Sequence, residues 1–167
     1  MTLPPKEDKL VLPFWPKRLF ALWPVSAAAA LFLPPLFPMV PKALTTALGT
    51  WPARTLLAAP LIGGALWLNM SAKAEFRKAH TPTSPFKTPT AMVTTGALSV
   101  TRNPLYVAVG ALFVGSGFLF DSGYFLLTWL PCYWVIRVCM LREEAFLERK
   151  FGEEYGKYKA AVPRWLF

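Results

Sequence analysis

The fold is decided by an apolar hairpin, which reads PLYVAVGALFVGSGFLFDSGYFLLTWLPCYWVIRVCML at residues 104–141. Two apolar runs, 104–120 and 124–141, flank a short Asp-Ser-Gly sequence that is typical of turns. At a rise of about 1.5 Å per residue, a helix of ~17 residues extends roughly 25 Å, which is short for a bilayer but can cross it with little tilt. We therefore predict two membrane-spanning helices joined by a tight turn, with Asn103 as N-cap and Pro104 as the first helical residue of the earlier one.

Two further apolar runs precede this hairpin. Residues 19–40 are apolar apart from Ser26, but three prolines interrupt their far end, so we predict a span that is kinked there. Residues 55–72 form another predicted span. Apolar residues make up 54% of the chain and charged residues only 16%, too few charges to cover a soluble domain. The sequence thus predicts an all-α integral membrane protein with about four spans, folded as a single domain over residues 1–167.

The positions of Lys and Arg predict the topology. Of the 18 basic residues, 15 lie in the N-terminal tail, in the loop 73–103 or in the C-terminal segment 142–167, whereas the opposite side has only Lys42 and Arg54. The positive-inside rule makes the basic side cytoplasmic. We predict a multi-pass protein with cytoplasmic termini, in the endoplasmic reticulum of a eukaryote or the inner membrane of a bacterium. A signal peptide is the alternative for the first run, but that run continues well past any cleavage site.

The net charge of +9 does not indicate nucleic-acid binding, because the basic residues are scattered over three segments and form no single stripe. His80 is the only histidine, and Cys132 and Cys139 lie seven residues apart within an apolar run. This spacing matches neither a metal site nor a disulfide framework. We therefore expect the bilayer and a lipophilic substrate as partners, with no nucleic acid and no metal.

The pattern changes after the hairpin. Apolar and aromatic residues recur every three or four positions, at Leu147, Phe151, Tyr155, Tyr158, Val162 and Trp165. This spacing predicts a C-terminal amphipathic helix, lying at the membrane interface or packed on the preceding loop. Glu143 and Glu144 begin where the apolar run ends, and they either are solvated or hold a cationic ligand group. Arg137, the one charge within a predicted span, either snorkels or binds an anionic group.

The loop between the second and third spans is rich in Pro, Thr and Gly. It reads Val-Thr-Thr-Gly at 93–96 and Thr-Arg-Asn-Pro-Leu-Tyr at 101–106, and apolar residues such as Met92 and Leu98 recur through it. These apolar anchors predict an ordered loop. Its unpaired backbone N–H and C=O groups can form hydrogen bonds with a planar ring. The loop and the C-terminal segment share one predicted face, so they can form one pocket.

Taken together, these residues resemble the isoprenylcysteine carboxyl methyltransferase family. The similarity lies in Val93–Gly96 with Arg102–Tyr106, in Glu143-Glu144, and in Phe151–Tyr155 with the Val-Pro-Arg-Trp sequence at 162–165. Related membrane enzymes that methylate phospholipid headgroups share the Arg-His/Asn-Pro-x-Tyr and Glu-Glu elements. The resemblance covers roughly residues 76–167, and it implies S-adenosylmethionine as the cofactor, held in a pocket that the C-terminal segment closes.

The resemblance also implies which residues bind that cofactor. They are Thr90, Ala91, Met92, Val93, Leu98, Asn103, Pro104, Leu105, Tyr106, Glu143 and Glu144. The position of the family's substrate-contacting arginine is occupied by Cys139, so Arg137 and Arg142 are the candidate catalytic residues. The expected reaction is carboxyl O-methylation of an isoprenylcysteine-type acceptor. The alternatives are N-methylation of a phospholipid headgroup, NADPH-dependent reduction in the membrane, and a non-catalytic membrane role.

Overall fold

The computed structural model describes residues 21–34, 36–83 and 88–166. These residues form six α-helices and one 3₁₀ turn at Gly96–Ser99, in agreement with the predicted all-α class. In chain order the helices are α1 (Leu22–Phe32), α2 (Lys42–Leu48), α3 (Thr50–Lys78), α4 (Pro104–Phe120), α5 (Tyr124–Phe151) and α6 (Glu153–Ala161). The predicted N-terminal tail, parts of the first span and residues 84–87 of the loop lie outside the described residues.

Two of the described helices, α3 and α5, are long and apolar enough to cross a membrane. The other two predicted spans correspond to shorter apolar helices, because α1 has 11 residues and α4 has 17. Large apolar side chains on the long helices face outward, among them Leu66, Trp67, Leu130 and Trp134, each more than half exposed. Such surfaces are unfavourable in water and suit contact with lipid. The predicted integral membrane location is therefore supported by two long apolar helices.

Both long helices continue past the ends of the predicted spans. Helix α3 extends beyond residue 72 to Lys78, and α5 extends beyond residue 141 to Phe151. A helix of this length measures about 43 Å, whereas the hydrocarbon core is only about 30 Å thick. Each helix is thus longer than a span of that core requires, and the last turns of α3 and α5 lie at the same end of the molecule.

Helices α3 and α4 pack closely because small residues line their interface. Ala65, Ala72 and Ala108 are buried in one cluster with Ala97 of the 3₁₀ turn. A Cβ atom added at Gly115 of α4 would lie 2.9 Å from a side-chain carbon of Ile62 on α3. Small residues allow such close backbone approach, which is the usual basis of helix association in membranes.

Helix α1 is attached to the hairpin by polar contacts within the apolar core. The Ser26 side chain is fully buried and lies 2.6 Å from the hydroxyl of Thr128 on α5. The indole N–H of Trp23 donates to the hydroxyl of Ser116 on α4 at 3.0 Å. Hydrogen bonds of this kind satisfy polar groups that would otherwise be costly to bury.

The turn of the hairpin fixes the chain between α1 and α2. Asp121 takes a left-handed conformation with φ of 52°, and its Oδ1 accepts the backbone N–H groups of Met39 and Val40 at 2.8 Å each. Its Oδ2 lies 3.3 Å from the guanidinium of Arg54 at the start of α3. The sequence predicted the turn but not this second role of its aspartate.

The prediction that one continuous helix carries the C-terminal stripe is wrong, although Leu147, Phe151, Tyr155, Tyr158 and Val162 do pack together. Gly152 has a positive φ of 54°, so it ends α5 and begins α6 with a change of direction. Only glycine adopts this conformation at little cost. Helix α6 then ends at Ala161, and the Trp165 ring leaves the helical register to stack on Tyr133 of α5, with ring centroids 6.0 Å apart. The buried face of α6 packs on the loop, which was the alternative to an interfacial position.

Candidate active site

A cleft lies where the loop before α4 meets α6 and the projecting end of α5. Its enclosed part has a volume of about 100 Å³, and the rest of the cleft is open to solvent. Ligand pockets typically have about 300–1,000 Å³, so a nucleoside-containing cofactor extends from the enclosed part into the open mouth. The cleft lies at the end of the molecule where α3 and α5 finish.

Most of the predicted cofactor-binding residues line this cleft. Eight of them do so: Ala91, Met92, Val93, Leu98, Asn103, Leu105, Glu143 and Glu144. They come from the loop, from the start of α4 and from the last turns of α5. The predicted meeting of the loop with the C-terminal half of the chain is therefore observed.

The remaining predicted residues lie beside the cleft or away from it. Thr90 is exposed, and its backbone N–H donates to the Thr81 hydroxyl at 2.9 Å. Pro104 is buried as the first residue of α4. The Tyr106 hydroxyl donates to Glu143 at 3.2 Å and so orients a carboxylate that does line the cleft.

Arg137 and Arg142, the candidate catalytic residues, are both exposed on α5. Neither is among the residues that form the cleft wall. Arg137 therefore has the exposed position that the snorkelling alternative expects. A catalytic role for either arginine stays a prediction.

The carboxylate of Glu144 is the electrostatic centre of the site. Its side chain is only 8% exposed, and it accepts hydrogen bonds from Arg164 at 2.9–3.2 Å. Arg102 forms a second ion pair with it at 3.4 Å, and the Asn103 amide donates to it at 3.3 Å. Hydrogen bonding to this carboxylate raises the pKa of Arg164. Glu144 thus joins α5, the loop and the C-terminal segment.

The backbone of the C-terminal segment is also bound to the residues before α4. The Arg102 N–H donates to the Pro163 carbonyl at 3.0 Å, and the Thr101 hydroxyl donates to the Arg164 carbonyl at 2.9 Å. The Asn103 side chain donates to the same carbonyl at 3.2 Å. Asn103 occupies the N-cap position of α4 but makes no side-chain cap bond, so the predicted capping role is replaced by this contact.

Aromatic residues of α6 form one wall of the cleft. Tyr155, Tyr158 and Val162 are buried together against Met92 and the end of α5. The Tyr158 hydroxyl donates to the Leu98 carbonyl at 2.7 Å, which fixes the loop. Burial raises the pKa of Tyr158, so its hydroxyl stays protonated and keeps donating at neutral pH. An apolar wall of this kind is suited to the planar base of a nucleoside.

Several lining residues were not among the predicted cofactor contacts. They are Phe76, Pro82, Thr83, Pro89, Arg102, Phe146, Leu147, Phe151, Tyr155 and Tyr158. The stripe of apolar positions after residue 146 was a signal for Leu147, Phe151 and the two tyrosines. No local sequence pattern indicates that Phe76 and Pro82 line the cleft, because only the packing of the end of α3 beside the loop brings them there.

The side chains of the cleft fit S-adenosylmethionine, which is a zwitterionic amino acid joined to a nucleoside through a sulfonium. Glu143 contributes a carboxyl group to the cleft wall, and this group accepts a hydrogen bond from Tyr106 at 3.2 Å. Arg102 lines the same cleft with buried nitrogen atoms that lack a hydrogen-bond partner. The cleft thus contains an acidic side chain, a basic side chain and an apolar wall.

Comparison with known proteins identifies the family of this chain. A model of the phospholipid methyltransferase family matches residues 53–154, which include α4, α5 and the loop of the cleft. The chain belongs to the phospholipid methyltransferase family. Members of this family are S-adenosylmethionine-dependent methyltransferases, so the predicted enzyme class and cofactor are confirmed at the level of the family.

Other comparisons add little. An uncharacterized protein of Haemophilus influenzae is 64% identical over 25 residues, which are 15% of this chain. The match spans 40% of the length of that relative. No solved structure matches the chain significantly.

The Glu144 cluster predicts a specific loss of stability. Glu144→Gln keeps the size of the side chain but removes its charge, leaving the buried Arg102 without a counterion. Breaking a buried ion pair of this kind costs about 3 kcal/mol. We expect a lower thermal midpoint in detergent, and faster tryptic cleavage at Lys157 and Lys159 of α6.

Glu148→Gln is the matched control. Glu148 lies on the same helix, but its ion pair with Lys159 is about half exposed, and such pairs contribute little. Equal midpoints and cleavage rates for both variants would show that Glu144 does not hold the C-terminal segment in place.

Proposed function

We propose that this protein transfers the methyl group of S-adenosylmethionine to a lipophilic acceptor at the membrane surface. The observation that carries the proposal is the family match, because residues 53–154 include the loop and both glutamates of the cleft. The sulfonium supplies an activated methyl group when the cofactor is bound. The protein's own task is then to bind and align the reactants for in-line displacement, which lowers the barrier by fixing their orientation.

The residues of the cleft have separate roles in this proposal. Glu143 faces the positively charged part of the cofactor, and the Tyr106 hydroxyl holds that carboxylate in position at 3.2 Å. The aromatic wall formed by Tyr155 and Tyr158 excludes water from one side. Leu98 and Met92 of the loop contribute apolar contacts for the nucleoside.

The acceptor proposed first is a prenylcysteine-type carboxylate. It is ionised at neutral pH and needs no general base to become a nucleophile. The motif similarity of residues 93–106 and 143–165 supports it. A phospholipid headgroup amine is the second candidate, and the name of the matching family favours it. In both cases the acceptor is an amphiphile, whose apolar part stays in the bilayer while its head reaches the cleft.

We further propose that α1, α3, α4 and α5 are four membrane spans with the cleft on the cytoplasmic side. The support is the position of the basic residues, 15 of which lie on one predicted side. The short helix α1 would cross together with the proline-containing segment that follows it. This topology gives the cleft access to a water-soluble cofactor from the cytoplasm.

Glu143 provides a direct test of cofactor binding. Glu143→Gln keeps the shape of the side chain but removes the charge that faces the cationic part of the cofactor. Loss of a charge-assisted contact lowers affinity by about 10- to 100-fold. Calorimetric titration of purified protein with S-adenosylmethionine measures this, with NADPH as a parallel ligand that we expect not to bind.

Glu153→Gln is a suitable control, since Glu153 is an exposed residue that pairs with Lys157 on the outside of α6. Its affinity should equal that of the wild type. If Glu143→Gln binds as tightly as the control, Glu143 does not contact the cofactor.

The acceptor is tested with Arg137→Met, which keeps a long stem and removes the charge. If Arg137 holds an anionic acceptor, the variant should show a raised acceptor KM or a lowered kcat, with cofactor affinity unchanged. The readout is transfer of radiolabel from the cofactor to a prenylcysteine analogue and, separately, to phosphatidylethanolamine. Arg149→Met, another exposed arginine on α5, is the control.

A fully active Arg137→Met variant would remove Arg137 from the acceptor site. If the wild type methylates phosphatidylethanolamine but not the prenylcysteine analogue, the acceptor is the headgroup amine and the proposed carboxylate acceptor is wrong.

The topology is tested by labelling single cysteines in a background without Cys132 and Cys139. Lys42→Cys on α2 and Lys157→Cys on α6 are both at exposed positions on opposite sides of the proposed membrane. A membrane-impermeant maleimide added to right-side-out vesicles should label position 42 at once. Position 157 should react only after permeabilisation, and its labelling in sealed vesicles would contradict the proposed orientation.

A further inference from the structure

Arg102 lies at the base of the cleft, directly before Asn103 and α4. Its backbone is held by the Pro163 carbonyl, and its side chain is only 8% exposed although it lines the cleft. Guanidinium groups are seldom buried to this extent without several hydrogen bonds. The hydrogen-bond donors of the buried Arg102 guanidinium therefore need partners.

Two of the Arg102 nitrogen atoms have no hydrogen-bond partner. Nε and Nη1 are both buried and make no hydrogen bond, although Nη1 forms an ion pair with Glu144 at 3.4 Å and Tyr155 interacts with the same guanidinium. Buried donors almost always have partners, and an unpaired one is a reason to look for a ligand. Arg102 thus has buried donors without hydrogen bonds, and its side chain forms part of the cleft wall.

The charges around Arg102 also favour an anion. Glu144 is the nearest carboxylate, but Arg164 already binds both of its oxygens. Two arginines therefore share one negative charge, which leaves a net positive charge beside the cleft. Glu143, the other carboxylate lining it, accepts a hydrogen bond from Tyr106. The cleft consequently has a cationic pole at Arg102 and an anionic pole at Glu143.

We propose that Arg102 binds the carboxylate of the amino-acid part of S-adenosylmethionine. This inference rests on the proposed function, since it names the residue that orients the cofactor in that cleft. The planar guanidinium offers adjacent donors that match a carboxylate in a bidentate arrangement. With the carboxylate at Arg102 and the cationic groups toward Glu143, the cofactor is bound in one direction only. An anionic group of the acceptor is the other source of the same chemistry.

The test compares two ligands that differ only in this carboxylate. S-Adenosylmethionine and its decarboxylated analogue share the nucleoside, the sulfonium and the amine. By calorimetric titration without any acceptor, the wild type should bind S-adenosylmethionine about 10- to 100-fold more tightly than the analogue. Arg102→Gln should bind the two ligands with affinities within about 2-fold of each other, and Arg102→Lys should retain part of the preference.

Arg164→Gln is the matched control. Arg164 pairs with the same Glu144 carboxylate but is not part of the cleft wall. The control should keep the wild-type preference for the carboxylated ligand even if both affinities fall. The ratio of affinities thus separates carboxylate binding from a general loss of structure.

Three results would overturn the proposal. If the wild type binds both ligands equally well, no residue of the cleft recognises the carboxylate. This measurement uses the wild type alone, so it does not depend on whether any variant folds. If Arg102→Gln keeps the wild-type preference for S-adenosylmethionine, Arg102 does not bind the carboxylate. If Arg164→Gln loses the preference to the same extent as Arg102→Gln, the effect is not specific to Arg102. A wild type that binds neither ligand would remove the proposed function as well, so the two failures are distinguishable.

Discussion

The buried carboxylate of Glu144 is the interaction on which the rest of the site depends. It receives Arg164 from the C-terminal segment, and Arg102 and Asn103 from the residues before α4, while its own backbone belongs to α5. Desolvating one carboxylate costs free energy that only well-placed opposite charges and hydrogen bonds offset. Because these partners come from three segments, the ion-pair cluster specifies how those segments fit together. The cleft is the space that their arrangement leaves.

The length of the helices sets where that cleft lies. Helices α3 and α5 continue past their apolar portions, and the last turns of both helices contribute residues to the cleft wall. The loop is anchored to α3, where the Ala97 N–H donates to the Ser71 hydroxyl at 3.0 Å. Helix α6 packs on that loop from the other side. In the proposed membrane orientation, a water-soluble methyl donor and an acceptor embedded in the bilayer approach this site from different phases.

The sequence was informative where a local pattern determines structure. The apolar run from Pro104 to Phe120 predicted helix α4 with the observed limits, and the Asp121 sequence predicted the turn of the hairpin. Eight of the eleven predicted cofactor-binding residues, six between Ala91 and Leu105 and the two glutamates, line the cleft. These predictions succeeded because hydrophobic periodicity and short-range motifs act within one segment.

The sequence was less informative where tertiary packing decides. The stripe after residue 146 predicted one helix, but the backbone turns at Gly152. Hydrophobic periodicity describes side chains and does not indicate that a glycine will adopt a positive φ. Asn103 looked like a capping residue, yet its side chain binds Glu144 and the Arg164 carbonyl instead. Arg137 appeared to be the functional cation because it lies within an apolar run. The structure exposes it and buries Arg102, and burial depends on distant segments that no local pattern contains.

The central claim is that the cleft between the loop, α5 and α6 binds S-adenosylmethionine. Photochemical cross-linking of radiolabelled S-adenosylmethionine to the purified protein, followed by peptide mass spectrometry, tests it most directly. The label should fall in peptides from residues 88–105 or 143–158, and an excess of unlabelled S-adenosylhomocysteine should abolish it. Label that resists this competition, or that falls on α1 or α2, would contradict the account.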